Sequence, residues 1–206
     1  MSGVMIKTGV YGVIRVAWEI TDPAQIHTAG VIVLGAGIVT GLWGVLLAAV
    51  QNDVKRLLAY SSIENIGVIF IGLGIALLGR AAGNPAIAAP ALCGALLHTA
   101  NHSMFKSLLF FGAGNIYSKM HTTLLDRFGG VAKSMPVTAI LFLVGTLAIC
   151  ALPPLNGFTS EFLIYFGMLD SVSDGSDTLC AAGGLMALAL IGGIAMLAFT
   201  KLYGTV

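Results

Sequence analysis

Six ionisable side chains stand in stretches that are otherwise apolar: Lys7, Glu64, His98, His102, Lys106 and Glu161. At the centre of a bilayer such a group costs about 2.5 kcal/mol or more, so each requires a reason. His98, His102 and Lys106 recur at i, i+4 and i+8, which stacks them on one helical face over ~12 Å. Glu64 falls about ten residues into its apolar run, ~15 Å along a helix and near the midplane, where a glutamate cannot snorkel to water. The plainer reading of Glu64 is a structural hydrogen bond to a neighbouring helix. Lys7 lies close enough to Met1 for its ammonium to snorkel to the surface. A His-x3-His pair can also hold zinc, although no nearby cysteine or carboxylate completes a site.

Glu161 follows Leu152-Pro153-Pro154-Leu155-Asn156-Gly157. Pro153, Pro154 and Gly157 should break the helix there, because proline lacks the N–H and clashes with the preceding turn. Broken helices persist in membranes where protein or a water-filled cavity covers the freed backbone, and they commonly mark ion sites. The alternative is a simple hinge with an incidental glutamate.

The chemistry open to this set is stepwise proton transfer. Burial disfavours the charged form of a lysine or a carboxylate, and an opposite charge nearby does the reverse, so each group can be switched by its neighbour. Histidine, with a reference pKa of about 6.5, exchanges protons in between. Cys93, Cys150 and Cys180 are scattered, without CxxC spacing, and read as small core residues. No cysteine cluster suits iron–sulfur and no Gly-rich loop suits a dinucleotide, so the reading is movement of charge without cofactor, metal or bond chemistry.

The elements that must carry these residues are membrane helices. Of 206 residues, 57% are hydrophobic and only 9% charged, where a soluble domain carries roughly a quarter charged. Lipid must therefore solvate the surface. A net charge of +1 gives no reason to expect a nucleic-acid partner. Nothing after Met1 reads as a cleavable signal. The 27 glycines allow close helix approach, and Gly37 and Gly41, spaced small-x3-small, should face another helix and not lipid.

Runs of about 20 apolar residues occur at 2–18, 28–50, 55–79, 85–117, 134–170 and 178–203, the fifth interrupted by the prolines. The fold expected is an all-α, polytopic transmembrane bundle of about six crossings. Lys55, Arg56, Lys119, Arg127, Lys133 and Lys201 then share one end, against Arg15 and Arg80 at the other, which makes the first end cytoplasmic. Lys55 and Arg56 serve most simply as topology anchors.

Three motifs in order resemble one family. Gln51-Asn52-Asp53-Val54-Lys55-Arg56-Leu57-Leu58-Ala59-Tyr60-Ser61-Ser62 is similar to the loop and helix start of the antiporter-like proton-pumping subunits. These occur in respiratory complex I, Mrp-type antiporters and membrane-bound hydrogenases. The His98/His102/Lys106 helix, with Phe105 and Gly112-Ala113-Gly114, resembles that family too, as does Leu152-Pro153-Pro154 followed by Gly157-Phe158 and Ser160-Glu161-Phe162. Ile63-Glu64-Asn65-Ile66-Gly67 resembles the large membrane subunit of hydrogenase-4 and formate hydrogenlyase complexes.

The resemblance implies that residues 1–27 are a connecting helix and loop, and 28–206 the second antiporter-like five-helix repeat, together the eighth to thirteenth helices of a longer subunit. Lys7 would match the lysine linking the half-channels, His98, His102 and Lys106 the eleventh-helix relay, and Glu161 the charged residue of the broken twelfth helix, facing the output side. The implied function is proton translocation in a hydrogenase or NADH/quinone-type complex, in a prokaryotic inner membrane. The implied partners are other membrane subunits and a peripheral electron-transfer arm. A stand-alone or Mrp-type sodium/proton antiporter fits the same residues, and a fragment of a split gene is a third reading.

Overall fold

The computed structural model describes residues 2–206. Its secondary structure is helical, with one isolated bridge between Asp53 and Leu124. Helix α1 (Met5–Ile14) runs on into a π-helical turn (Arg15–Ile20). There follow α2 (Ile26–Val50), α3 (Val54–Ala81), α4 (Pro85–Met120), a short α5 (Val131–Ser134), α6 (Pro136–Ile149), α7 (Asn156–Asp174) and α8 (Thr178–Gly204). This is a polytopic helical membrane bundle.

The helix starts follow capping chemistry. The Asp53 carboxylate accepts from the N–H groups of Lys55 and Arg56 at 2.9 and 3.0 Å and opens α3. Asn84 accepts from Ala86 N–H, with Pro85 at the first helical position of α4. The fifth apolar run is two helices: α6 stops at Ile149, and α7 starts only at Asn156, after Pro153 and Pro154. Gly157 is required there, since a Cβ would strike the carbonyl oxygen of Ala148 at the end of α6.

Three helices, Pro23–Val50, Val54–Ala81 and Thr178–Gly204, are each long and apolar enough to cross a membrane. α3 is the central one: 83% of its apolar stretch is enclosed by the protein, against 33% for the stretch containing α2. α4, at 36 residues, is about 54 Å long and exceeds the ~30 Å hydrocarbon core, so it tilts or protrudes.

The seam between α2 and α3 is built from glycine. A Cβ on Gly67 would fall on the backbone of Gly41, one on Gly44 on the backbone of Glu64, and one on Gly37 within 2.7 Å of Ile71 N. Gly37 and Gly41 therefore do face a helix, as their spacing predicts. On the far side of α4, a Cβ on Gly94 would lie 2.9 Å from the Ser160 carbonyl oxygen, so that glycine lets α7 come close.

The loops expected to share an end do so. Leu125 N–H bonds to the Asn52 carbonyl at 2.9 Å, Lys201 Nζ to Asn52 Oδ1 at 2.7 Å, and Ala132 N–H to the Val206 carbonyl at 2.8 Å. At the other end His27 meets Asp177 at 2.8 Å, and Arg80 donates to the Trp18 carbonyl. The stretch from Lys119 to Ser134 is more than a polar connection. Leu125, Phe128 and Val131 turn back into the core beside Leu57, Leu58 and Phe199.

Cys93 is a correction. It is exposed, while Cys150 and Cys180 are half-buried, and all three are free thiols. In a membrane protein the lipid-facing surface is as apolar as the core, so an apolar neighbourhood in sequence does not distinguish the two.

Candidate buried polar site

The site lies where α4 packs between α3 and α7, with α1 across one face. The i, i+4, i+8 stripe is real: His98, His102 and Lys106 are all buried, and Lys106 has no exposed surface at all. Phe105 holds the stripe edge-on to both imidazoles, with ring centroids 6.3 Å from His98 and 5.4 Å from His102.

Each member of the stripe has a different partner. Lys106 Nζ donates to the Leu58 carbonyl at 2.9 Å and to Ser61 Oγ at 2.5 Å, both on α3. It also borders a cavity of about 530 Å³ with Ser2, Ser62 and Ser107. His102 Nδ1 meets Lys7 Nζ of α1, which also donates to the Ser2 carbonyl at 2.8 Å. Lys7 is therefore turned into the bundle and does not snorkel away. His98 Nδ1 lies 2.9 Å from Ser160 Oγ on α7, and its Nε2 lies 3.1 Å from Asn65 Oδ1 on α3. The two histidines thus address different helices.

Asn65 closes the circuit by donating from Nδ2 to the Ser61 carbonyl at 2.8 Å. A set of buried polar contacts thus connects the three helices: Lys106 bonds the Ser61 hydroxyl, Asn65 bonds the Ser61 backbone carbonyl and His98, and His98 meets Ser160. Ser160 Oγ in turn reaches the Gly157 carbonyl at 2.9 Å, in the first turn after the helix break. Asn101 braces this corner, donating to the Asn156 carbonyl at 2.8 Å.

The two carboxylates behave differently. Glu64 is buried, and its Oε2 has no hydrogen-bond partner among the described residues. The plainer reading, a structural hydrogen bond to a neighbouring helix, finds no support at that oxygen. Glu161 borders a cavity of about 380 Å³ between the helix break and α8, lined also by Cys150, Tyr165, Gly192 and Gly193. His102 Nε2 is likewise buried without a partner.

Spacing alone did not reveal Ser61, Asn65, Asn101 and Ser160. All four are buried and hydrogen-bonded. Serine and asparagine are common on membrane-helix interfaces, so their presence in an apolar run raises no alarm. The available signal was position: Ser61 and Asn65 are four apart on α3, and Ser160 directly precedes Glu161.

Buried charge and neutral hydrogen-bonding groups in the middle of an apolar helix bundle mark a functional site in a membrane protein. Comparison with known proteins gives the chain a family. It belongs to the NADH:quinone oxidoreductase/Mrp antiporter transmembrane family, whose model matches residues 1–190.

Among relatives, hydrogenase-4 component B of Escherichia coli is 41% identical over 99% of this chain, which covers 31% of that protein. Formate hydrogenlyase subunit 3 of the same organism is 39% identical over 98% of the chain and 33% of its own length. The chain thus spans about a third of these relatives. Among solved structures, the Mrp complex from Dietzia sp. DQ12-45-1b matches with a TM-score of 0.81 at 23% identity, over 100% of this chain and 34% of that one. Respiratory complex I from Thermus thermophilus matches with a TM-score of 0.70 at 29% identity, over 93% and 38%.

Proposed function

We propose that this chain forms the proton-conducting part of a membrane subunit in a hydrogenase- or quinone-oxidoreductase-type complex, where electron transfer drives ion movement. The observation that carries the reading is the buried polar seam in which Lys106 meets Ser61, and Asn65, His98 and Ser160 are hydrogen-bonded in turn, beside Glu161. Lys7 joins the same stripe through His102. Lys7, Glu64, His98, His102, Lys106 and Glu161 are the titratable members; serine and asparagine hold them in register. The chain does no redox chemistry in this reading. Its partners are the other membrane subunits and the peripheral electron-transfer arm, and its Lys- and Arg-rich end faces the cytoplasm of a prokaryotic inner membrane. Residues 1–27 act as the connecting helix and 28–206 as the antiporter-like repeat.

The identities of 41% and 39% to the hydrogenase-type subunits support this over an Mrp-type sodium/proton antiporter. The Mrp likeness, at 23% identity, is one of fold. The test is the ratio of protons moved to electrons transferred in sealed vesicles, using the whole subunit in its complex. Lys106→Ala and Glu161→Gln should each lower that ratio, with assembly preserved. A full ratio in well-assembled Glu161→Gln complexes would remove Glu161 from the path.

A further inference from the structure

We propose that Ser160 is a positioning residue for proton transfer: its hydroxyl switches between His98 and the carbonyls of the helix break according to the protonation of His98. The proposal rests on the proton-conducting reading above and adds a named switch to it.

The argument begins at Asn65. Its Nδ2 donates to the Ser61 carbonyl at 2.8 Å, so its Oδ1 must be the atom that faces His98 Nε2 at 3.1 Å. An amide oxygen can only accept. His98 Nε2 therefore carries a hydrogen in every protonation state, and the nitrogen that gains or loses a proton is Nδ1. That nitrogen faces α7, not α3.

Nδ1 meets Ser160 Oγ at 2.9 Å. The same oxygen lies 2.9 Å from the Gly157 carbonyl and 3.3 Å from that of Asn156, and Asn101 Nδ2 donates to it at 3.3 Å. A serine hydroxyl has one hydrogen and two lone pairs. When His98 is neutral, Nδ1 is an acceptor and the Ser160 hydrogen must point to it. When Nδ1 is protonated it becomes a donor, so Ser160 accepts from it, and the hydroxyl hydrogen turns to the Gly157 or Asn156 carbonyl. No covalent bond is made or broken in this exchange; one hydrogen rotates. The carbonyls that gain it belong to the first turn of α7, the turn that leads into Glu161. The charge state of His98 is thereby reported to the element that carries the next carboxylate.

Three features suit Ser160 to this role. It is fully buried, so water does not compete for its hydroxyl. Gly94 admits the α7 backbone close to α4 at this point. Asn101 donates to both Ser160 and Asn156, which fixes the corner in either state. The other charged or titratable groups facing this region are Lys7 on α1, Glu64 on α3, His102 and Lys106 on α4, and Glu161 on α7.

The test uses the complete subunit in its complex, in sealed vesicles, with the proton-to-electron ratio followed against pH. Ser160→Ala removes the acceptor for a buried imidazolium, a change of about tenfold in protonation, so the midpoint of the profile should move toward acid by about one pH unit. Ser160→Cys, close in size, should move it less and in the same direction. A lowered ratio with an unmoved midpoint in both variants would make Ser160 merely structural and overturn the switch. Unchanged ratio and midpoint, with Glu161→Gln still defective, would overturn the switch and leave the proton path standing. Unchanged behaviour in Ser160→Ala, Glu161→Gln and Lys106→Ala alike would overturn both.

Discussion

Helix α3 is held on its two sides by opposite means. Toward α2 the contact is backbone on backbone, through Gly37, Gly41, Gly44 and Gly67. Toward α4 it is a seam of polar side chains, in which Ser61 and Asn65 meet Lys106 and His98. At Gly37, Gly44 and Gly67 the first seam presents backbone, which cannot relax as a side chain can. The second depends on donors and acceptors meeting at hydrogen-bond length, and each mismatch there would leave a buried polar group unpaired. The difference shows how a buried polar seam can be kept in register inside lipid. A rigid apolar seam fixes the helix, so that the polar seam on its other side is preorganised and does not have to collapse onto its own partners.

Breaking the glycine seam should have the largest effect. Gly67→Ala places a Cβ on the Gly41 backbone, where nothing flexible can yield. Overpacking that usually costs about 1–3 kcal/mol should sit at or above the top of that range here. The folded yield in membranes, measured by detergent extraction and size-exclusion chromatography, should fall severalfold. Gly41→Ala should be milder, because its Cβ first meets Ile191 Cδ1, the far end of a flexible side chain. Equal losses in the two variants would show that close backbone approach is not what fixes α3.

The polar seam should respond less. Asn65→Leu keeps roughly the volume but leaves His98 Nε2–H without its acceptor, while the Ser61 carbonyl keeps its helical bond from residue 65 N–H. The expected loss is about 1–3 kcal/mol, seen as a lower thermal midpoint in detergent, while the complex still assembles. An unchanged midpoint would mean that this seam orders nothing.

The two seams were not equally legible. The glycine spacing at 37 and 41 is a pattern with one physical use, and the structure gives it that use. The titratable stripe was legible for a related reason: Lys106 in an apolar helix is costly enough to demand an explanation. The helix break followed from Pro153 and Pro154 alone. What stayed hidden was the pairing between helices. No spacing within α3 says that Asn65 meets His98, because that contact depends on the crossing of α3 and α4. The same limit explains Cys93, whose outward direction is set by packing and not by its apolar neighbours.

The smallest effect should come from the water-facing anchor of the same helix, which separates the start of α3 from the two seams that hold it inside the membrane. Asp53 caps α3 and also accepts from the Thr123 hydroxyl. Partial burial acts to raise the pKa of its carboxyl. The hydrogen bonds from Thr123, Arg56 N–H and Lys55 N–H, together with the Arg56 charge, outweigh this and hold it below its ordinary value of 3.8. A carboxyl with a depressed folded-state pKa stabilises above its unfolded value, and that contribution disappears as pH falls through the folded one. Asp53→Ala should therefore cost about 1 kcal/mol near neutral pH. The difference from wild type should hold down to about pH 4 and shrink only below it. Asp53→Asn, a comparable cap without a titrating proton, should show no such acid dependence of its own. Thermal midpoints of the three proteins across that range, taken as differences so that the buried carboxylates cancel, check the sign. A penalty for Asp53→Ala that grew on acidification would mean that the cap works through something other than its ionised carboxylate.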